Sequence, residues 1–282
     1  MIRSLLYVPA SAERFVAKAA ERGADAIVLD LEDAVAPSEK LAARAKLAQS
    51  VPSVGKNGAK VFVRVNSESE PLRADAEAAV RAGAFGLFVP KSREPRALQR
   101  LAEWLEPLEH AAGRKPTALV PMIEDPGAVL DARAIAGATP RVFALITGGE
   151  DLATALNAEP IPEVLTFPKL LVHYAAKAQG VLSWGLLRTV ADYSDLNAIE
   201  QSARQARAFG IDGATCVHPS VVPILNKAFS ASSDELDRAR RLVEAYAKAQ
   251  AGGLGAVEFE GKMIDEPVAQ RARALLARSE TQ

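Results

Sequence analysis

A single cysteine, Cys216, occurs in 282 residues, which excludes an intrachain disulfide and a cysteine-clustered zinc site. Long hydrophobic runs are missing as well. No apolar stretch approaches the roughly 20 residues that a membrane-spanning helix needs, and Met1-Ile-Arg-Ser4 lacks the marks of a signal peptide. The expectation is a cytoplasmic protein with no membrane partner. Neither sign of charge is in excess: Lys and Arg number 34 against 35 Asp and Glu, a formal net charge of −1, so no global field draws nucleic acid. Low-complexity segments are absent, and no G-x-G-x-x-G follows the first apolar run, which argues against a dinucleotide-binding open sheet.

What the chain does have is apolar content of 49%, enough for one large core, and a length ordinary for an α/β barrel. Short apolar runs alternate with Ala-, Arg- and Glu-rich helical patterns. Strands are predicted at 5–9, 26–31, 61–65, 86–89, 118–123, 143–147, 181–187 and 214–217. Helices are predicted at 11–22 with Ser11 as N-cap, then 38–49, 72–82, 95–111, from 126, 170–178 and 195–209. A loop carrying Pro160, Pro162 and Pro168 precedes the helix at 170. Eight strand-and-helix units are the count of a (β/α)8 TIM-type barrel, whose active sites lie at the C-terminal ends of the strands. The barrel is expected over 1–250. Gly252-Gly-Leu-Gly255 then breaks a strongly helical stretch, and 251–282 reads either as a lid over a barrel mouth or as a cap on apolar surface.

The polar clusters fall where a barrel would use them. Phe143-Ala-Leu-Ile-Thr-Gly-Gly-Glu-Asp-Leu152 is an apolar run that ends in a glycine pair and two carboxylates, Glu150 and Asp151. Ala118-Leu-Val-Pro-Met-Ile-Glu-Asp125 ends on Glu124 and Asp125. In a parallel sheet both acidic ends lie on one face, where oxygen ligands can meet around one hard cation; carboxylates at strand ends are also ordinary helix N-caps. Arg64, near the end of a strand that should be buried, needs an anion: a substrate oxyanion, or Asp30 and Asp33 in an internal pair. Lys91 at the end of the fourth strand invites an imine reading or an anion-binding and structural one. His218 is either a proton relay or a hydrogen-bonded structural residue. His110 and His173 fall on helices and are incidental.

The chain resembles the citrate lyase β-subunit (CitE-like) family of the HpcH/HpaI aldolase group. The likeness rests on Arg3-Ser-Leu-Leu-Tyr-Val-Pro9, Leu29-Asp-Leu-Glu-Asp-Ala-Val35, Val63-Arg-Val-Asn66, Val89-Pro-Lys91, Ile123-Glu124, Glu150-Asp-Leu152, His218-Pro-Ser220 and Gly261-Lys-Met-Ile-Asp265, in that order over nearly the whole chain. The resemblance implies a carbon–carbon lyase with Mg2+ on Glu124 and Asp151, acting on a 3-hydroxyacyl-CoA to give an acyl-CoA and a 2-oxo acid. Arg64 and Lys91 would bind substrate, and Asp265, on the lid, would be the acid or base. Asp30, Glu32, Asp33, Glu150 and His218 would support these groups. A homotrimer or hexamer is implied, with the lid reaching a neighbouring subunit.

Several positions depart from the family pattern: Ala10 replaces a glycine, Leu187 stands in the Ile-Asp region of the seventh strand, Lys169 falls where Tyr-Ala-Arg is common, and Val221 replaces a glutamine. Substrate choice is thereby open among malyl-, citramalyl- and citryl-CoA. A thioesterase on the same substrates and a non-catalytic subunit of a citrate lyase complex are the alternatives. For the CoA phosphates, Arg3, Arg14, Lys40 and Arg44 are candidates without an order among them.

Overall fold

Parallel strands covered on both faces need apolar residues at nearly every position, and the eight runs supply them. The computed structural model describes residues 1–280. Its elements run β1 (Ser4–Pro9), α1 (Glu13–Ala19), β2 (Ala26–Asp30), α2 (Lys40–Gly55), β3 (Lys60–Arg64), α3 (Ser69–Ala82), β4 (Gly86–Val89), α4 (Pro95–Ala111), β5 (Ala118–Ile123), α5 (Pro126–Leu130), α6 (Ala132–Ala136), β6 (Ala144–Thr147), α7 (Gly149–Ala155), α8 (Pro162–Ala178), β7 (Leu182–Trp184), α9 (Leu196–Ala208), β8 (Ala214–Cys216) and α10 (Val222–Phe229). The strands are parallel in the order β7-β6-β5-β4-β3-β2-β1-β8. A parallel bridge between Trp184 and Gly213 joins the two ends of the sheet, with Gly185 N–H donating to Gly213 O at 2.9 Å. The result is the expected (β/α)8 TIM-type barrel, held within Ile2–Phe229.

Alternation along each strand divides the core in two. Leu5, Val28, Phe62, Phe88, Ile146 and Trp184 share a cluster inside the barrel, while Leu6, Leu29, Val63, Leu87, Leu119 and Leu145 belong to the cluster under the helices. Aromatic rings fill the interior: Phe62 meets Phe88 edge-on at 5.5 Å and Trp184 at 5.8 Å. Gly86 makes room for them, since a Cβ there would come within 2.9 Å of the Phe62 ring and 2.7 Å of Ala118 O. This plug leaves the upper interior positions of the strands free for polar side chains.

Three predicted details differ, and one helix is additional. Ser11 does not cap α1, which starts at Glu13 behind Ala12 with no side-chain cap. The helix expected from 170 begins at Pro162, and Pro168 lies inside it. Proline at the first helical position forfeits nothing, and burial of Leu165, Lys169 and Val172 offsets the one bond that Pro168 cannot make. The seventh strand is short because Gly185, at φ 145°, turns the chain out of the sheet. Helix α10 was not anticipated; Pro219 at the start of the preceding 3-10 turn obscured its pattern.

From Ser230 onward the chain forms a second unit. Helix α11 (Ser233–Ala251) opens on a capping box, Ser232 with Glu235. Strands β9 (Val257–Phe259) and β10 (Lys262–Ile264) pair antiparallel across Glu260 and Gly261, both at positive φ, as a two-residue hairpin turn requires. Helix α12 (Glu266–Glu280) follows. Leu242 and Tyr246 of α11 share a core with Ile264, Ala269 and Ala272.

Candidate active site

Register places the first two polar residues. In the β2–β3 pairing Asp30 stands directly beside Arg64, and strand periodicity turns both inward above Val28 and Phe62. The pair is bidentate: Arg64 Nε donates to Asp30 Oδ1 at 2.7 Å and Nη2 to Oδ2 at 2.6 Å. Asp30 in turn accepts the backbone N–H groups of Glu32 and Ala34. The remaining edge of the guanidinium meets Glu32 at 3.0 Å and Asp33 at 3.2 Å. Arg64 also lies over the Tyr7 ring at 5.3 Å. Burial opposes its charge, but the bond to Asp30 and the surrounding carboxylates hold its pKa above the usual value. Of the two readings of Arg64, the internal pair is thus present, and a substrate oxyanion would share the same guanidinium.

Glu124 follows β5, and its carboxylate is fixed by the backbone N–H of Lys91, which donates to Oε2 at 2.6 Å. Lys91 takes φ 51° to present that amide, a left-handed conformation that a lysine adopts at a cost. On the other side Gly148 closes in: a Cβ there would sit 2.7 Å from Glu124. Burial and the negative charge of Asp151 push the Glu124 carboxyl up to about 7, against the Lys91 amide and Arg64. Glu32 is pushed up to about 8, by burial first and by Asp33 and Glu124 next. Its Oε1 is buried with no hydrogen-bond partner, and the Lys91 ammonium stands 3.9 Å away.

Arg64 and Glu124 face a cavity of about 430 Å³ at the C-terminal ends of the strands. Asp30, Asp33, Arg64, Glu124, Glu150 and Asp151 all line it, so carboxylates distant in sequence do converge. Asp151 and Glu150 arrive on the first turn of α7. Glu150 bonds to Thr189, and Asp125 caps α5 through the Ala128 N–H. Among the described residues no three His, Cys, Asp or Glu side chains form a ready-made metal cage. Glu124 and Asp151 could together give a divalent cation two hard-oxygen ligands, a number that leaves room for water and substrate oxygens.

The other expected residues have surroundings of their own. The Lys91 side chain lines a neighbouring cavity of about 250 Å³ with Arg73 and Trp104. His218 accepts the Ser220 N–H, stacks on Tyr193 at 4.8 Å and caps a 3-10 turn. Asp265 accepts the Val268 N–H at 3.3 Å at the start of α12. Of the CoA-phosphate candidates, Arg3 is paired with Asp25 at the N-terminal end of the strands, opposite the cavity, and Arg44 with buried Asp75. Two wall residues went unassigned in the sequence. Tyr7 could have been found from the inward alternation of β1. Lys169, buried on α8, departs from the family pattern and carries no signal of its place in the sequence.

The HpcH/HpaI aldolase/citrate lyase family model matches residues 3–219. Citrate lyase subunit beta of Escherichia coli (strain K12) is 34% identical over 286 residues, covering 99% of this chain and 93% of its own. A (3S)-malyl-CoA thioesterase of Cereibacter sphaeroides (strain ATCC 17029 / ATH 2.4.9) is also 34% identical, covering 99% and 94%. The crystal structure of CitE from Mycobacterium tuberculosis in complex with magnesium, acetoacetate and coenzyme A superposes with a TM-score of 0.80 at 30% identity, over 99% of this chain and 98% of that one. The chain therefore belongs to the HpcH/HpaI aldolase/citrate lyase family and is a lyase of that class on a TIM-type barrel.

Proposed function

We propose that the protein is a Mg2+-dependent carbon–carbon lyase on CoA thioesters, which splits a 3-hydroxyacyl-CoA of the malyl, citramalyl or citryl type into an acyl-CoA and a 2-oxo acid, or joins the two. The observation that carries this reading is the shared cavity of Glu124, Asp151 and Arg64. The donor set fits the ion: Glu124 and Asp151 repel one another, and a buried Glu32 oxygen near Glu124 makes no hydrogen bond. Glu124 and Asp151 would hold Mg2+, which when bound supplies positive charge to the carboxylate and adjoining oxygen of the 2-oxo acid.

The chain's own residues do the rest. Asp30 locks one edge of Arg64. The other edge meets buried Glu32 at 3.0 Å and Asp33 at 3.2 Å, and Asp33, whose side chain is 64% exposed, is the one readily exchanged for a substrate oxyanion. The Lys91 amide keeps Glu124 aimed at the cavity. Asp265, brought in by the tail of a neighbouring subunit in a trimer or hexamer, would give a proton to the α-carbon of the acyl-CoA enolate after cleavage, or take it in the condensing direction. Replacing Asp265 by Asn should lower kcat by about 100-fold or more with Mg2+ affinity nearly unchanged in titration calorimetry. Loss of metal binding instead would refute the assignment.

The malyl-CoA thioesterase relative favours hydrolysis as the second reading. Purified protein assayed with and without Mg2+ on malyl-, methylmalyl-, citramalyl- and citryl-CoA separates the two. A lyase releases a 2-oxo acid and an acyl-CoA, whereas a hydrolase releases free CoA and the hydroxy acid. No Mg2+-dependent turnover of any of them would leave the non-catalytic alternative.

A further inference from the structure

A buried ammonium in the cavity wall is left without a role by the chemistry above. Lys169 is 8% exposed and lines the cavity, yet among the described residues its Nζ meets no carboxylate at hydrogen-bond distance. It donates instead to two backbone carbonyls, Leu186 O at 2.8 Å and Arg188 O at 2.7 Å. Both belong to the segment that leaves β7 at Gly185. A buried charge held by neutral acceptors is an expensive way to join a helix to a loop.

The same segment is tied at other points. Glu150 of α7 bonds to Thr189, Arg188 pairs with Asp192 at 3.1 Å, and Tyr193 stacks on His218. Leu186, Thr189 and Val190 from it form one wall of the cavity. Lys169 is the tie nearest the strand end, and the one that grips the backbone itself, so it fixes the wall whatever side chains the wall carries.

We propose that Lys169 is a positioning residue: by clamping the carbonyls of Leu186 and Arg188 it sets the β7 wall against which the acyl part of the substrate fits. The inference rests on the lyase reading for its substrate, but the clamp itself is a property of the fold. Lys169 does not touch the reacting atoms, so its loss should act through substrate fit.

The pH dependence follows. Burial lowers the Lys169 pKa to about 8, against the field of Glu150. Glu150 on α7 is the charged group that acts on it, and the loop that supplies its carbonyls carries the Arg188–Asp192 ion pair. Above that pH the ammonium loses a donor and the clamp weakens. A guanidinium at this position does not titrate.

The test uses the full-length protein with Lys169→Met and Lys169→Arg, each checked for its melting temperature. With whichever thioester the wild type turns over, Lys169→Met should raise KM roughly tenfold with kcat changed less than about threefold. Lys169→Arg should stay within about threefold of wild type and lose the alkaline decline in kcat/KM that wild type shows above about pH 8. Independently of turnover, trypsin should cut after Arg188 faster in Lys169→Met than in wild type or Lys169→Arg, followed by mass spectrometry at neutral pH. Unchanged KM together with unchanged cleavage in Lys169→Met overturns the proposal, as does an alkaline decline that persists in Lys169→Arg. Should Lys169→Met fail to fold, the Lys169→Arg profile decides. Should wild type turn over no thioester, the lyase reading fails and cleavage after Arg188 alone judges the clamp.

Discussion

Glu124 is where the electrostatics of the site can be read by titration. In the metal-free protein it holds its proton up to about pH 7 and Glu32 up to about pH 8, whereas in the unfolded chain both ionise near the ordinary value of about 4.3. Between those limits the native state binds more protons than the unfolded state, so stability is greatest at low pH and is lost as pH rises through 7 and 8. A cation on Glu124 competes with the proton, so its affinity should grow over the same window and level off above it. The rise in melting temperature on adding Mg2+ should therefore increase from about pH 5.5 to about pH 7.5 and vanish in Glu124→Gln; a pH-independent increment would place the ion elsewhere. At this scale the sequence was legible where a side chain's chemistry demanded company. A buried arginine had to have its acid, and Asp30 was named for it. What could not be read was the direction of Lys91, because its contribution to Glu124 is a backbone amide, and a main-chain group leaves no letter in the sequence. Lys169 was hidden for the same reason, since its partners are carbonyls.

The strands carry the geometry, and their sequence pattern was the most legible part of the fold. Each run had to be apolar on both faces, so eight runs could be counted and their acidic ends located. Helix bounds were less so, as proline normally marks an end: Pro168 was taken to precede a helix that in fact surrounds it. Gly148 and Gly149 were legible only as the turn that ends β6 before the two carboxylates. The structure supplies the reason for the first of them. Gly148 has φ −78°, which alanine adopts freely, so its need for glycine comes from the Glu124 side chain 2.7 Å from any added Cβ. Replacing Gly148 by Ala should leave the fold nearly intact, with a melting temperature within about 4 °C of wild type, because a carboxylate side chain can swing aside. Mg2+ affinity should fall at least tenfold, since the displaced carboxylate leaves the Lys91 amide and the cavity. Equal loss of stability and of metal binding would mean that the glycine serves the β5–β6 packing alone.

At the scale of the whole chain, two bodies of apolar residues are built separately. The barrel's clusters lie within Ile2–Phe229, and the tail's cluster runs from Ala239 to Ala272. The glycine-rich break at Gly252-Gly-Leu-Gly255 drew the eye in the sequence, because glycine announces itself, whereas the apolar stripe of α11 looks the same whichever body it packs against. In the structure that stripe, Ala239, Leu242 and Tyr246, shares its core with Ile264, Ala269 and Ala272. Two truncations follow from this. A chain ending at Phe229 should keep the barrel's far-ultraviolet circular dichroism and bind Mg2+ as the full chain does, since Glu124, Asp151 and Arg64 all belong to it. A chain ending at Gln250 keeps α11 but loses its partners, exposing Leu242 and Tyr246, and should aggregate or melt at lower temperature than the shorter one. Neither should turn over a CoA thioester, because both lack Asp265. Turnover by the chain ending at Phe229 would remove Asp265 from the mechanism and leave proton transfer to a carboxyl within the barrel, with Glu32, pushed up to about 8 and without a hydrogen bond at Oε1, the group to replace next.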